Sequence, residues 1–89
     1  MIPESDLKII CHYAKEYGAN AIFLFGSSLC DSSSAHDIDL GVIGIEPAKF
    51  FSFYGELLMK LNQPVDLIDL SRPSKFSALV MKRGKKIYG

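Results

Sequence analysis

The stretch AIFLFGSSLCDSSSAHDIDLGVIGI, residues 21–45, decides the fold. Ala21–Phe25 is an unbroken apolar run of strand length, the pattern of a strand covered on both faces. Gly26-Ser27-Ser28 breaks it sharply. Leu29–Asp31 is expected to form a helical turn and Ser32–His36 a loop. Ile38–Ile45 is the second strand, with Gly41 and Gly44 marking close packing or a bulge.

Working outward, residues 3–17 read as a helix. Pro3 suits its first turn, Glu4 and Asp6 favour its positive end, and Leu7, Ile10, Cys11 and Ala14 recur at helical spacing before Gly18 stops it. On the other side, Pro47 opens a second long helix that ends near Leu61. Asn62-Gln63-Pro64 turns the chain into a third strand, Val65–Leu70. Ser71 is the expected cap of a further helix, with Pro73 just inside it and Phe76, Leu79 and Val80 on its inner face. Arg83-Gly84 ends that helix, and Lys85–Tyr88 is expected to add a short final strand. The order α-β-(α)-β-α-β-α predicts an α/β fold in which helices pack on a small mixed sheet of three to four strands.

The whole chain, 1–89, is expected to be a single domain. A hydrophobic fraction of 48% excludes a disordered chain. Ten basic and ten acidic residues cancel, which argues against a broad nucleic-acid or anionic-membrane face. No apolar run approaches the roughly 20 residues of a membrane span, and the N-terminus lacks a signal-peptide pattern. Cys11 and Cys30 form no metal-binding spacing and are expected to be reduced thiols, which suits a cytoplasmic protein.

Three features carry chemistry. Gly26-Ser27 directly after a buried strand lets backbone N–H groups approach an anion, as a phosphate cradle does. Asp37 and Asp39 flank Ile38 and share one strand face. Two such carboxylates repel each other, and a divalent cation would relieve the repulsion. Magnesium prefers oxygen ligands of this kind. The third feature is an acid on the third strand. Asp66 shares a face with Ile68 and Leu70, Asp69 shares the other with Val65 and Leu67, and either could meet the first two acids.

A strand, then Gly-Ser, then Asp-x-Asp on the next strand, then an acid on a third resembles the DNA polymerase β-type nucleotidyltransferase superfamily. Within it the chain resembles the minimal nucleotidyltransferases (MNT) that accompany HEPN partners in prokaryotic toxin–antitoxin pairs. The resemblance runs through LFGSSLCDSSSAHDIDLGVIG, PVDLIDL and, more loosely, KRGKKIYG. It implies a nucleotidyltransferase fold. It also implies that Gly26, Ser27 and Ser28 bind the phosphates of ATP or another nucleoside triphosphate. Asp37, Asp39 and Asp66 would be catalytic and hold Mg²⁺ or Mn²⁺. The implied reaction moves AMP onto a hydroxyl of a HEPN-type partner, as an antitoxin does.

Two departures from the family pattern bear on activity. Nine residues, not ten, separate Gly-Ser from Asp-x-Asp. The arginine and second glycine that commonly follow the serine are missing, and no Lys or Arg lies between Phe25 and Leu40. Triphosphate charge would then rest on metal and backbone unless Lys49, Lys60 or Arg72 reaches in. These departures motivate the alternative of a non-catalytic antitoxin that works by occlusion or only binds nucleotide.

Other groups have plainer expectations. His36 is read as a loop histidine and His12 as a surface one. The segment Asp31–Asp39 is no calcium loop, because it lacks the central glycine and Val42 stands where a glutamate is needed. Lys82-Arg83 and Lys85-Lys86 complement the negative end of the last helix. Phe50, Phe51, Phe53 and Tyr54 cannot all face one sheet from one helix, and the surplus is expected to serve a partner or self-association.

Overall fold

The computed structural model describes residues 3–25 and 38–89. The expected helical turn, the serine loop, Cys30, His36 and the candidate site residues Gly26, Ser27, Ser28 and Asp37 lie outside the described residues.

Helix α1 spans Glu4–Glu16, strand β1 Ala21–Phe25, strand β2 Ile38–Ile43 and helix α2 Pro47–Lys60. Strand β3 is Val65–Asp69, helix α3 is Lys75–Arg83 and strand β4 is Lys85–Tyr88. The four strands form one mixed sheet in the order β3-β2-β1-β4. β1 runs antiparallel to both β2 and β4, and β2 runs parallel to β3 across the α2 crossover.

Alternation along the strands separates two faces. Ile22 and Leu24, then Ile38, Leu40 and Val42, then Val65 and Leu67 point to one side and are buried. Ile10 and Ala14 of α1 and Phe53 and Leu57 of α2 close over them into one cluster, with Tyr17 edge-on to Phe53 at 5.6 Å. Leu70 and Val80 are buried outside that cluster, and α3 touches the sheet at β1, where Phe76 meets Phe25 edge-on at 6.2 Å.

The second strand is shorter than its apolar run. It ends at Ile43 because Gly44 takes φ +99°, a conformation L side chains rarely adopt, while Ile45 remains buried beyond the bend. Gly44 N–H donates to Ser71 Oγ at 3.1 Å, and this decides a second difference. Ser71 is occupied there rather than capping a helix. The cap of α3 is Ser74, whose hydroxyl accepts from Ser77 N–H at 2.9 Å while Ser77 Oγ accepts from Ser74 N–H, a reciprocal capping box. Ser77 and Val80 face inward, and Phe76 and Leu79, expected inside, are about half exposed. The third strand ends at Asp69, one residue short of the expectation, where Asp69 Oδ1 accepts Ser71 N–H at 2.9 Å.

Asp6 stands in the first turn of α1, as expected, and is also drawn into the core. It continues the inward stripe of Ile10 and Ala14, is fully buried, and neither carboxylate oxygen has a hydrogen-bond partner among the described residues. The cap position before it is Pro3, which has no N–H to offer a returning side chain.

Candidate active site

The face of the sheet opposite α1 and α2 carries the acids. The parallel register pairs Ile38 with Val65, Asp39 with Asp66 and Leu40 with Leu67. Register partners share a face, so the carboxylates of Asp39 and Asp66 leave the sheet on the same side from adjacent strands. Strand spacing sets their Cα atoms about 4.8 Å apart. Asp39 is half-buried and Asp66 exposed. The same row continues to Phe25, the antiparallel partner of Asp39 and the last residue of β1. The Gly-Ser segment leaves β1 from this row in the sequence.

The register also separates Asp66 from Asp69. Asp69 pairs with Val42, whose side chain lies in the core cluster, so Asp69 takes the parity of the opposite face. Its carboxylate serves the turn at Ser71. Asp66 is the third-strand acid that shares the face of Asp39.

Local packing explains why that face stays level beside the acids. Gly41, two residues beyond Asp39 on the same side, is covered by Leu70, which shares the parity of Asp66. A Cβ at Gly41 would collide with the Leu70 side chain. The glycine therefore lets Leu70 fold down over β2 and fill the floor next to the acids.

Two adjacent carboxylates supply hard oxygen donors, and their spacing suits one small divalent cation with water or phosphate completing its shell. Among the described residues no group of three or more His, Cys, Asp or Glu side chains gathers, and Asp37 lies outside them. Of the cations weighed for the triphosphate, Lys49 and Arg72 follow the C-terminal ends of β2 and β3, opposite the end that bears Asp39 and Asp66. Lys60 lines a separate cleft of about 320 Å³ between α1 and α2, with Lys8, Ile9, His12 and Tyr13. There burial, followed by the hydrogen bond and negative charge of Glu56, raises the Tyr13 phenol above its usual pKa.

His12 is exposed, as expected of a surface histidine. Cys11 is a free thiol that donates to Ile87 O at 3.5 Å, and burial pushes its pKa up. Among the described residues no helix is long and apolar enough to cross a membrane.

Comparison with known proteins bears on the fold and the family. The model of the family described as polymerase beta, nucleotidyltransferase matches residues 8–89. No curated protein matches the chain. Among solved structures, the toxin–antitoxin pair MntA-HepT aligns with a TM-score of 0.72 at 22% identity, covering 98% of this chain and 73% of that one. A toxin–antitoxin structure with AMP-PNP aligns at 0.70 and 24% identity, covering 93% and 73%. A third, the tri-AMPylated HEPN toxin of Shewanella oneidensis in complex with its MNT antitoxin, aligns at 0.71 and 23% identity, covering 97% and 71%.

Proposed function

Because the chain belongs to the polymerase beta nucleotidyltransferase family, we propose that it transfers AMP from ATP to a hydroxyl of a HEPN-type partner protein and thereby acts as the antitoxin of that pair. The observation that carries this reading is the in-register pair Asp39 and Asp66 on the sheet face that α1 and α2 leave open. Solved structures of the same fold include an MNT antitoxin with its AMPylated HEPN toxin and a toxin–antitoxin structure with AMP-PNP, which supports both the partner and the nucleotide.

In this reading Asp37, Asp39 and Asp66 hold Mg²⁺ or Mn²⁺. Gly26, Ser27 and Ser28 take the triphosphate through backbone N–H groups and hydroxyls. The cation supplies charge neutralisation on the phosphates and a template for in-line attack. Asp66, the most exposed of the two described acids, is the group best placed to receive the proton of the attacking hydroxyl. The oxygen of that hydroxyl forms the new bond to the α-phosphorus as the bond to pyrophosphate breaks. The cellular site of this chemistry is the cytoplasm.

The test is to mix the chain with its neighbouring gene product, Mg²⁺ and ATP, and to read intact mass. One or more added AMP groups on the partner are expected, and none with the Asp37→Ala/Asp39→Ala variant. A partner that is neutralised without any added mass would overturn catalysis.

A second reading has its own support. No Lys or Arg lies between Phe25 and Leu40, and Lys49 and Arg72 stand at the opposite end of the sheet from the acids. A site that those cations do not reach leaves occlusion as the way the chain would neutralise its partner. The same mass measurement separates the two.

A further inference from the structure

Helix α2 contains a glycine that nothing among the described residues requires. Gly55 sits in the middle of Pro47–Lys60, outside the positive-φ glycines, and a Cβ built on it meets no atom within 4 Å. A glycine in a helix interior weakens the helix relative to alanine. The side chains around it are also unusual. Phe51 is 78% exposed, Leu58 52% and Met59 75%.

These positions are symmetric about Gly55. Phe51 and Met59 stand four residues to either side, and Ser52 and Leu58 three. All are exposed, and none is charged. On a helix those offsets trace one stripe. The charged residues Lys49, Glu56 and Lys60 fall at other offsets and lie beside it.

We propose that this stripe is a self-complementary interface at which α2 packs antiparallel against α2 of a second copy of the chain, with the two helices crossing at Gly55. A two-fold contact needs a patch that matches itself, and a stripe mirrored about a flat glycine does. Antiparallel pairing sets Phe51 of each copy against Met59 of the other, and the missing side chain at Gly55 lets the backbones approach. Electrostatics agree, since the seam is uncharged and the chain has zero net charge, so copies do not repel. Phe51, Leu58 and Met59 expose on the order of 400 Å² per copy. With their neighbours included, two copies reach the low end of the roughly 1,000–2,000 Å² of specific interfaces, which fits a weak, reversible dimer.

Sedimentation velocity of the full chain over a range up to about 1 mM tests this. The wild type is expected to shift from monomer to dimer with concentration. Gly55→Leu is expected to raise the dissociation constant about tenfold or more, while its thermal midpoint stays equal or rises, because leucine favours a helix interior over glycine and a Cβ there meets nothing among the described residues. Phe51→Glu and Met59→Lys should each abolish the dimer. The double variant should restore it, because each glutamate then faces the other copy's lysine.

A wild type that stays monomeric throughout would overturn the proposal. So would a Gly55→Leu chain that dimerises normally, or a stripe that proves to bind only a HEPN-type partner.

Discussion

The two faces of one sheet, built from the same strands and offset by a single residue, have opposite chemistry. Ile38, Leu40, Val65 and Leu67 are sealed under α1 and α2, while Asp39 and Asp66, their immediate neighbours in sequence, stand on the other side in register. Hydrophobic burial on one face thus fixes the geometry of the other. A slip of one residue in β3 would bring Asp66 into the core and expel Leu67, so folding energy enforces the pairing of the acids. Substitutions on the two faces should therefore separate activity from stability.

The largest effect is expected on the acidic face. Asp39→Asn should lower AMP transfer to the partner by about 100-fold or more, a barrier increase of about 2.7 kcal/mol, with little change in urea midpoint. Quantitative mass spectrometry of the partner reads the first and equilibrium unfolding the second. A comparable loss in both would mean that Asp39 is structural.

On the covered face the balance reverses. Phe53→Ala removes a fully buried ring and should cost about 3–5 kcal/mol by urea denaturation, whereas Phe51→Ala, at 78% exposure, should stay within about 0.5 kcal/mol. Gly41→Val should fall between them. It crowds Leu70 from the acidic side and is expected to cost about 1–3 kcal/mol, with a drop in transfer as β2 and β3 shift beside the acids.

The smallest effects lie at the edges of the comparison. Ser74→Ala should cost about 1 kcal/mol by removing the true cap of α3, and Ser71→Ala less, since its exposed bond to Gly44 N–H can pass to water. Asp6→Asn should stabilise the fold by about 1 kcal/mol, because a buried carboxylate without partners among the described residues costs more than its place in the first helical turn returns. Thermal unfolding of the three variants side by side would expose a wrong sign.

Much of the fold was legible because apolar runs and breakers coincide. Ala21–Phe25 between Asn20 and Gly26 matches β1 residue for residue, and Pro47 and Pro64 bracket α2 and the turn after it. The misreadings share one cause, that long-range contacts compete for local signals. Ser71 looks like a cap, but Gly44 from a distant turn claims its hydroxyl, and α3 is capped by Ser74 instead, with Phe76 and Leu79 half exposed. Asp6 looked like an ordinary first-turn acid, and only packing reveals its burial. At the site, the sequence left Asp66 and Asp69 as rivals. Parity divides them within the strand, but which parity faces Asp39 depends on the strand pairing, which no local pattern encodes. The surplus aromatics of α2 were readable from their spacing, and Phe51 and Phe53 divide between solvent and core as that spacing requires.

The central claim is that register, rather than the mere presence of acids, makes Asp39 and Asp66 a cation site. Titration of Mn²⁺ in the presence of ATP, followed by electron paramagnetic resonance of the free ion, tests it most directly. Asp66→Asn should weaken Mn²⁺ binding about tenfold or more, and Asp69→Asn should bind as the wild type does. Unchanged binding in Asp66→Asn, or a loss confined to Asp69→Asn, would contradict the account.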